Sequence, residues 1–588
     1  MRSVLHQLSI ILEKSEKRKI PFIIIMMIFS AILEVLGVSM IVPVVTLVMD
    51  PDTMESNRLV AGFCEVFHIT SATSLTIALM VVLIFLFVGK NLFQLLQYYV
   101  VAKYSFDNLY RTQKKLVNIF LHKPYSYYLG INTSDIVRLI SQDTVGAFVI
   151  VQDVMEMCAE VFVAIILALT VFVMDPGMAL AMGIMLAVLM LFIAKVIKPK
   201  LNRYGASHVK YDTIATKWLL QFSGGIKDIK IAESENFFEE NYAYNDRIDK
   251  KMEKERAVYR NVPRVMLEAT CISGVLLIFI VRLLQGENIA NMVPQLSAFV
   301  LAAVRLLPSA NRVSSYANEI AYNMPQLNRT VEHIKKASEA VVETAALPEH
   351  RAEEIDETAF TLQDKIELRN ITFKYDEGDK YILEHANMEI PIASSVGVVG
   401  TSGAGKTTAI DVLLGLLKPE SGQVLVDGRD IESNYHAWLR NISYIPQTIY
   451  LLDDTIRANI MFGNATDASD DAVWMALREA QLEDFVRSLP EGLDTQIGER
   501  GVRLSGGQRQ RIGIARALYT QPKVLIFDEA TSALDNETEE ALMEAINGLH
   551  GKKTMIIIAH RLQTIQNCDL VYRVGEGKIT LDEHAKES

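Results

Sequence analysis

Gly400-Thr401-Ser402-Gly403-Ala404-Gly405-Lys406-Thr407 decides how the second half of this chain is built. It fits the spacing G-x-x-x-x-G-K-S/T and lies between an apolar run, Val396 to Val399, and a segment with helical spacing. That strand–loop–helix context is the one the motif requires. The glycines let the backbone wrap phosphate groups, Lys406 reaches the β- and γ-phosphates, and the Thr407 hydroxyl suits Mg²⁺; Thr408 completes the candidate ATP contacts. About 120 residues on, four apolar residues end in Asp528-Glu529. Asp528 is expected to support the Mg²⁺ shell, and Glu529 to polarise the attacking water.

Between these motifs lies Leu504-Ser505-Gly506-Gly507-Gln508, just ahead of a run with helical spacing. Alone, it reads as a helix cap whose backbone N–H groups and dipole favour an anion. Around it, from Ile366 onward, short β-rich runs alternate with helical segments, an α/β texture. Val396-Gly397-Val398-Val399-Gly400, Lys523 to Asp528 and Met555 to Ala559 read as buried strands.

The first half is different. Apolar stretches at about 20–48, 75–102, 144–174, 177–197, 261–284 and 289–320 give six candidate transmembrane helices. Asp153, Glu156 and Glu160 interrupt the third. Lys and Arg crowd the loops between helices two and three and between four and five, whereas Asp50 to Ser74 holds only Arg58. The positive-inside rule therefore puts both termini and the long loops in the cytoplasm, with the chain multi-pass in the cell (inner) membrane. Those loops keep helical periodicity, so they extend the membrane helices below the bilayer, with turning points near Asn132–Ser141 and Gly224–Glu235. Residues 1–330 form this domain, 331–365 a polar, acidic linker, and 366–588 the nucleotide-binding domain. The first apolar stretch is too long for a signal-peptide core and is expected to remain as an anchor.

Composition agrees. The chain has 588 residues, 50% of them hydrophobic, and a mean hydropathy of +0.20. Its 58 basic and 70 acidic residues give a net charge of −12, against nucleic-acid binding. Cys64, Cys158, Cys271 and Cys568 have no paired spacing for a disulfide or zinc site.

The second half resembles the nucleotide-binding domain of an ATP-binding cassette protein, with that family's motifs in order. The resemblance implies further roles. Tyr375 matches the aromatic that stacks on adenine, and Gln447 the glutamine that senses Mg²⁺ and water. Leu504 to Gln508 matches the signature that closes over ATP held by another subunit. Ser532 and Asp535 match the loop at the dimer interface, His560 the histidine at the γ-phosphate, and Thr495 to Gly501 a segment typical of exporters. One membrane half and one cassette imply a dimer, either of two identical chains or with a different half-transporter.

Cargo is read from the membrane charges. Counted along the helices at about 1.5 Å per residue, Arg305 lies ~16 Å, Lys90 ~22 Å, Arg312 ~27 Å and Arg264 ~33 Å from the outer ends. A cationic cavity open to the inner leaflet suits a lipid with an anionic, phosphate-bearing headgroup. The alternative is internal pairing with Glu34, Glu268 and the acidic residues of helix three. Ile32 to Pro43, Val262-Pro263-Arg264 and Phe299 to Arg312 also resemble bacterial flippases of lipid-linked oligosaccharides. That likeness implies flipping of a polyprenyl-pyrophosphate-linked glycan to the outer leaflet, although Lys90 stands where an Arg is expected. Export of other lipids, hydrophobic drugs or peptides, and a gated channel or regulatory subunit, are the rival readings. Asn57 to Ile69 is read as either a surface helix touching lipid or a packed loop.

Overall fold

The computed structural model describes residues 2–39, 72–174, 176–285, 289–344, 360–375, 378–463, 469–529, 546, 548–559 and 565–582. It divides into two compact units, Met1–Lys123 with Gly130–Leu347, and Pro124–Leu129 with Pro348–Ser588.

The first unit is helical. A short amphipathic helix, α1 (Arg2–Ile11), precedes α2 (Ile20–Ser39), α3 (Ala72–Leu121), α4 (Thr144–Met174), α5 (Pro176–Phe192), α6 (Lys198–Gly224), α7 (Glu235–Leu284) and α8 (Ile289–Thr344). Pro176 opens α5, where its missing N–H costs nothing. At 50 residues, α3 and α7 each run about 75 Å, more than twice the ~30 Å hydrocarbon core of a bilayer. They extend beyond any span they make, as the loop periodicity predicts. Among the described residues, three helical stretches are long and apolar enough to cross a membrane: Lys14–Gly37, Thr73–Leu121 and Glu235–Val281. Large apolar side chains on them, such as Phe85 at 74% exposure and Leu276 at 56%, face away from the unit's interior.

Three boundaries differ from the sequence reading. The first turning point is not at Asn132–Ser141. Instead α3 stops at Leu121 and a one-turn helix, Tyr125–Leu129, follows Pro124, which cannot continue the preceding hydrogen-bond ladder. Residues 133–143 are helical, closing with a π-turn (Leu139–Asp143) that leads into α4. Third, α8 continues to Thr344, through residues read as linker. The second turning point is where expected, a short helix (Ile226–Ile231) between α6 and α7. The proposed outer helix at 57–69 lies outside the described residues.

Close approach fixes how α6 meets α8. A Cβ on Gly205 would stand 1.9 Å from the Tyr322 carbonyl oxygen, so only glycine fits that crossing. Charges are buried in the same region. Arg138, fully buried, pairs with Asp143 (3.3 Å) and Asp212, while Arg329 reaches Asp143 and Asp135, each at 3.3 Å.

The second unit is α/β. Its strands are β1 (Lys365–Phe373), β2 (Leu383–Pro391), β3 (Ser395–Val399), β4 (Ser421–Val426), β5 (Arg429–Asp430), β6 (Ile442–Ile445), β7 (Val524–Asp528), β8 (Thr554–Ile558), β9 (Leu570–Gly575) and β10 (Lys578–Leu581). Four form an antiparallel sheet, β2-β1-β4-β5, and six a second sheet, β10-β9-β3-β8-β7-β6. From β9 to β6 the second sheet is parallel. Its strands β3, β7 and β8 are buried along their whole length, as expected of apolar runs covered on both faces. Two helices matter for the site: α9 (Lys406–Leu413), which follows β3, and α10 (Gly506–Tyr519), which precedes β7.

Candidate functional site

Parallel register brings the distant motifs together. Val398 of β3 and Asp528 of β7 are both level with Ile558 of β8, the strand between them. At ~4.8 Å per strand, the start of the phosphate loop and Asp528 sit about 10 Å apart, at the carboxyl edge where open α/β sheets bind ligands.

The loop itself is built by glycine. Gly405 caps α9 at φ 101°, and a Cβ there would meet Ile382 at 2.8 Å. The Lys406 ammonium folds back to donate to the carbonyls of Gly400 (2.9 Å) and Thr401 (3.2 Å). Thr401, Ser402, Gly403 and Thr407 are exposed along the loop and the first turn of α9, with Ala404 half-buried. Tyr375 stands edge-on to Phe373, with its hydroxyl 2.9 Å from Thr408 Oγ1, so the loop and the candidate adenine platform are joined.

On the facing strands, Gln447 donates to Glu529 Oε2 at 2.7 Å. Glu529 holds φ 47°, a left-handed conformation that non-glycine residues rarely adopt and that clusters at functional sites. Its N–H donates to the Ile558 carbonyl, tying it to the neighbouring strand. Two residues went unread in the sequence. The Tyr444 hydroxyl donates to Asp528 at 2.8 Å, and Asp411 of α9 is buried where burial, with Asp528 next to it, pushes its carboxyl up to about 6. Burial and Asp528 also push the Tyr444 phenol up. Nothing in the strand pattern Ile442-Ser443-Tyr444-Ile445 says that its hydroxyl reaches a carboxylate 84 positions away.

The signature takes the form its cap reading predicts. Ser505 Oγ accepts from the Gln508 N–H (3.2 Å), and Gln508 Oε1 accepts from the Ser505 N–H (2.8 Å), a reciprocal capping box opening α10. Leu504 is buried beneath it, and Gly506 and Gly507 form the first turn. Gly513, about two turns further on, lies against Ile449.

Of the four membrane cations, two are paired internally. Lys90 donates to Glu34 at 2.7 Å, and Arg312 Nε lies 2.5 Å from Glu160 Oε1. Arg264 is exposed, and among the described residues no ion pair joins it to Glu268 one turn on. Arg305 lies within α8, and its side chain is outside the described residues.

Residues 383–532 match the sequence profile of the ABC transporter family. The C-terminal unit is an ABC transporter ATPase domain. Curated relatives resemble the chain through this ABC domain. ABC transporter B family member 17 of Arabidopsis thaliana is 44% identical over 221 residues, and a putative multidrug export ATP-binding/permease protein of Staphylococcus aureus is 41% identical over 218. Each match covers 37% of this chain, which spans 18% of the plant protein's length and 38% of the staphylococcal one's. A bacterial Atm1-family ABC exporter with ATP bound aligns over 96% of this chain and 95% of its own, at a TM-score of 0.76 and 22% identity. The whole chain therefore has the Atm1-like exporter fold, a helical membrane domain joined to an ABC domain. Three of the ABC domain's expected residues, Ser532, Asp535 and His560, lie outside the described residues.

Proposed function

We propose that the chain is half of an ATP-driven exporter, acting as a pair of identical chains in the cell membrane with the ABC domain and both termini cytoplasmic. In this reading six helices cross the bilayer, and the signature of each chain covers ATP held by the phosphate loop of the other. The observation that carries it is the convergence of Lys406, Asp528 and the Gln447–Glu529 pair on one sheet edge.

The donor set fits Mg²⁺: Thr407, Gln447 and Asp528 offer hard oxygen ligands only. The ion would neutralise charge on the phosphates when bound. Lys406 releases its loop carbonyls to hold phosphate oxygens. Glu529, held by Gln447, takes a proton from the attacking water, and His560 is proposed to steady the γ-phosphate. Closure of the paired ABC domains, transmitted by the long helices, turns the membrane cavity outward; hydrolysis resets it.

Export of membrane-borne amphiphiles is the reading the fold supports best. Flipping of a polyprenyl-pyrophosphate-linked oligosaccharide is a second, favoured by the exposed Arg264 and by Arg305 on α8. Purified chain in proteoliposomes, given ATP and either that glycolipid or a hydrophobic organic cation, separates them. Transport of either is expected, with Glu529→Gln lowering turnover by ~10²-fold or more. Normal steady-state ATP hydrolysis by Glu529→Gln would overturn the assignment of the base.

A further inference from the structure

A polar cavity of about 170 Å³ opens among α2, α3, α4 and α8, inside otherwise apolar helices. Three carboxylic acids and two basic side chains line it: Glu34, Glu156, Glu160, Lys90 and Arg312. Two pairs form among them, Lys90–Glu34 and Arg312–Glu160. The third carboxylate, Glu156, is 6% exposed and forms no ion pair among the described residues. Of the three carboxylates, Glu156 is the one that no described cation pairs.

Hydrogen-bonding capacity has the same bias. Gln97, 3% exposed, and Glu160, 7% exposed, also line the cavity; Gln97 Oε1 and Glu160 Oε2 are buried with no donor. A buried acceptor without a partner costs free energy, and ionisable groups at membrane depth are retained for function. Among the described residues, then, the Glu156 carboxyl has no cation, and one oxygen each of Gln97 and Glu160 has no donor. The cavity exceeds the ~30 Å³ of one water several-fold. An anionic head would meet Lys90 and Arg312, which are already paired.

We propose that this cavity binds the head of an organic monocation that carries N–H donors, a primary ammonium or a guanidinium, with Glu156 as its counter-ion and Gln97 and Glu160 as acceptors. A primary ammonium supplies three donors on a compact charge. This deepens the exporter reading, on which its place in transport rests, by naming the chemical class carried. Binding itself requires no turnover.

The test uses the full chain in nucleotide-free nanodiscs of neutral phosphatidylcholine, with radiolabelled octylammonium as probe and protein-free discs as background. One site per chain is expected. Octyltrimethylammonium, equally charged but without N–H, and octyl phosphate should each bind at least about tenfold more weakly, and Glu156→Gln should weaken octylammonium by about tenfold or more. Gln97→Leu, which removes an acceptor and no charge, should weaken it by a smaller factor and carries the test if Glu156→Gln does not yield folded protein by melting. Wild-type affinity in Glu156→Gln, or stronger binding of octyl phosphate than of octylammonium, would overturn the proposal. A chain that binds octylammonium but does not hydrolyse ATP would overturn the exporter reading and leave the site standing.

Discussion

Lys406 and Arg138 are both cations buried in a protein interior, and they are held by opposite means. Lys406 donates to carbonyl oxygens of its own loop, six and five positions back. Arg138 is held by carboxylates, Asp143 on the following π-turn and Asp212 on α6. Neutral acceptors can be left for a phosphate at little electrostatic cost, whereas a buried carboxylate cannot be abandoned without stranding a charge. The bonds from Lys406 to its own loop are ones it can exchange for phosphate oxygens, whereas Arg138 is committed to structure.

The largest expected effect tests that contrast directly. Arg138→Ala leaves Asp212 without its cation and Asp143 with Arg329 alone, and should destabilise the helical unit by about 3–5 kcal/mol. Arg138→Met combined with Asp143→Leu and Asp212→Leu removes Arg138 with both its carboxylates, leaves Arg329 its bond to Asp135, and should recover at least half of that loss, because paired burial itself contributes little. Thermal melting of the full chain in detergent reads both. A loss below ~1 kcal/mol in the single variant would mean that Arg138 is no more committed than a surface cation.

The contrast also explains what could be read in advance. The phosphate loop and its lysine lie within eight consecutive residues, so motif and geometry are one object. Parallel strands deliver Asp528 and Glu529 to the same edge once β3, β7 and β8 are recognised as strands. In the helical unit the helices are legible, because apolar runs and prolines are local. Their partners are not. Glu34 meets Lys90 across 56 positions and two helices, and no residue near either names the other. A set of four cations therefore read as a cationic cavity, although two of them are neutralised from other helices. Tyr444 and Asp528 show the same blindness inside the ABC domain, since side-chain reach between strands leaves no periodic trace.

A smaller effect probes the carboxylate side of the comparison. Asp411 is buried in the phosphate-loop helix, and its carboxyl is pushed from 3.8 up to about 6 by burial and by Asp528. Protonated Asp411 is favoured in the folded chain, so its stabilising contribution is whole below pH ~4 and is lost as pH rises through about 6. The loss is at most ~3 kcal/mol. Asp411→Asn should flatten that part of the stability-versus-pH curve between pH ~4 and ~7, measured by melting across buffers. An unchanged slope would show that ionised Asp411 is compensated in the folded domain, as Arg138 is in the helical unit.

The smallest expected effect falls on Ser505, where cap and signature coincide. Its hydroxyl satisfies the Gln508 N–H, and Gln508 returns the bond to the Ser505 N–H, so both donors at the start of α10 have partners. Ser505→Ala removes one half of this box and should destabilise the first turn by ~1 kcal/mol, while Ser505→Thr should retain most of it. Hydrogen exchange at the amides of residues 506–508 reads that local change without ATP. If capping were the whole role, Ser505→Thr would restore ATP turnover along with amide protection. If the box also aims the N–H groups of Gly506 and Gly507 at a phosphate from the second chain, turnover should fall in Ser505→Ala by more than the tenfold or less that ~1 kcal/mol can explain. The comparison then extends to backbone: a cap that only closes a helix behaves like the committed Arg138, and one that waits for a phosphate behaves like Lys406.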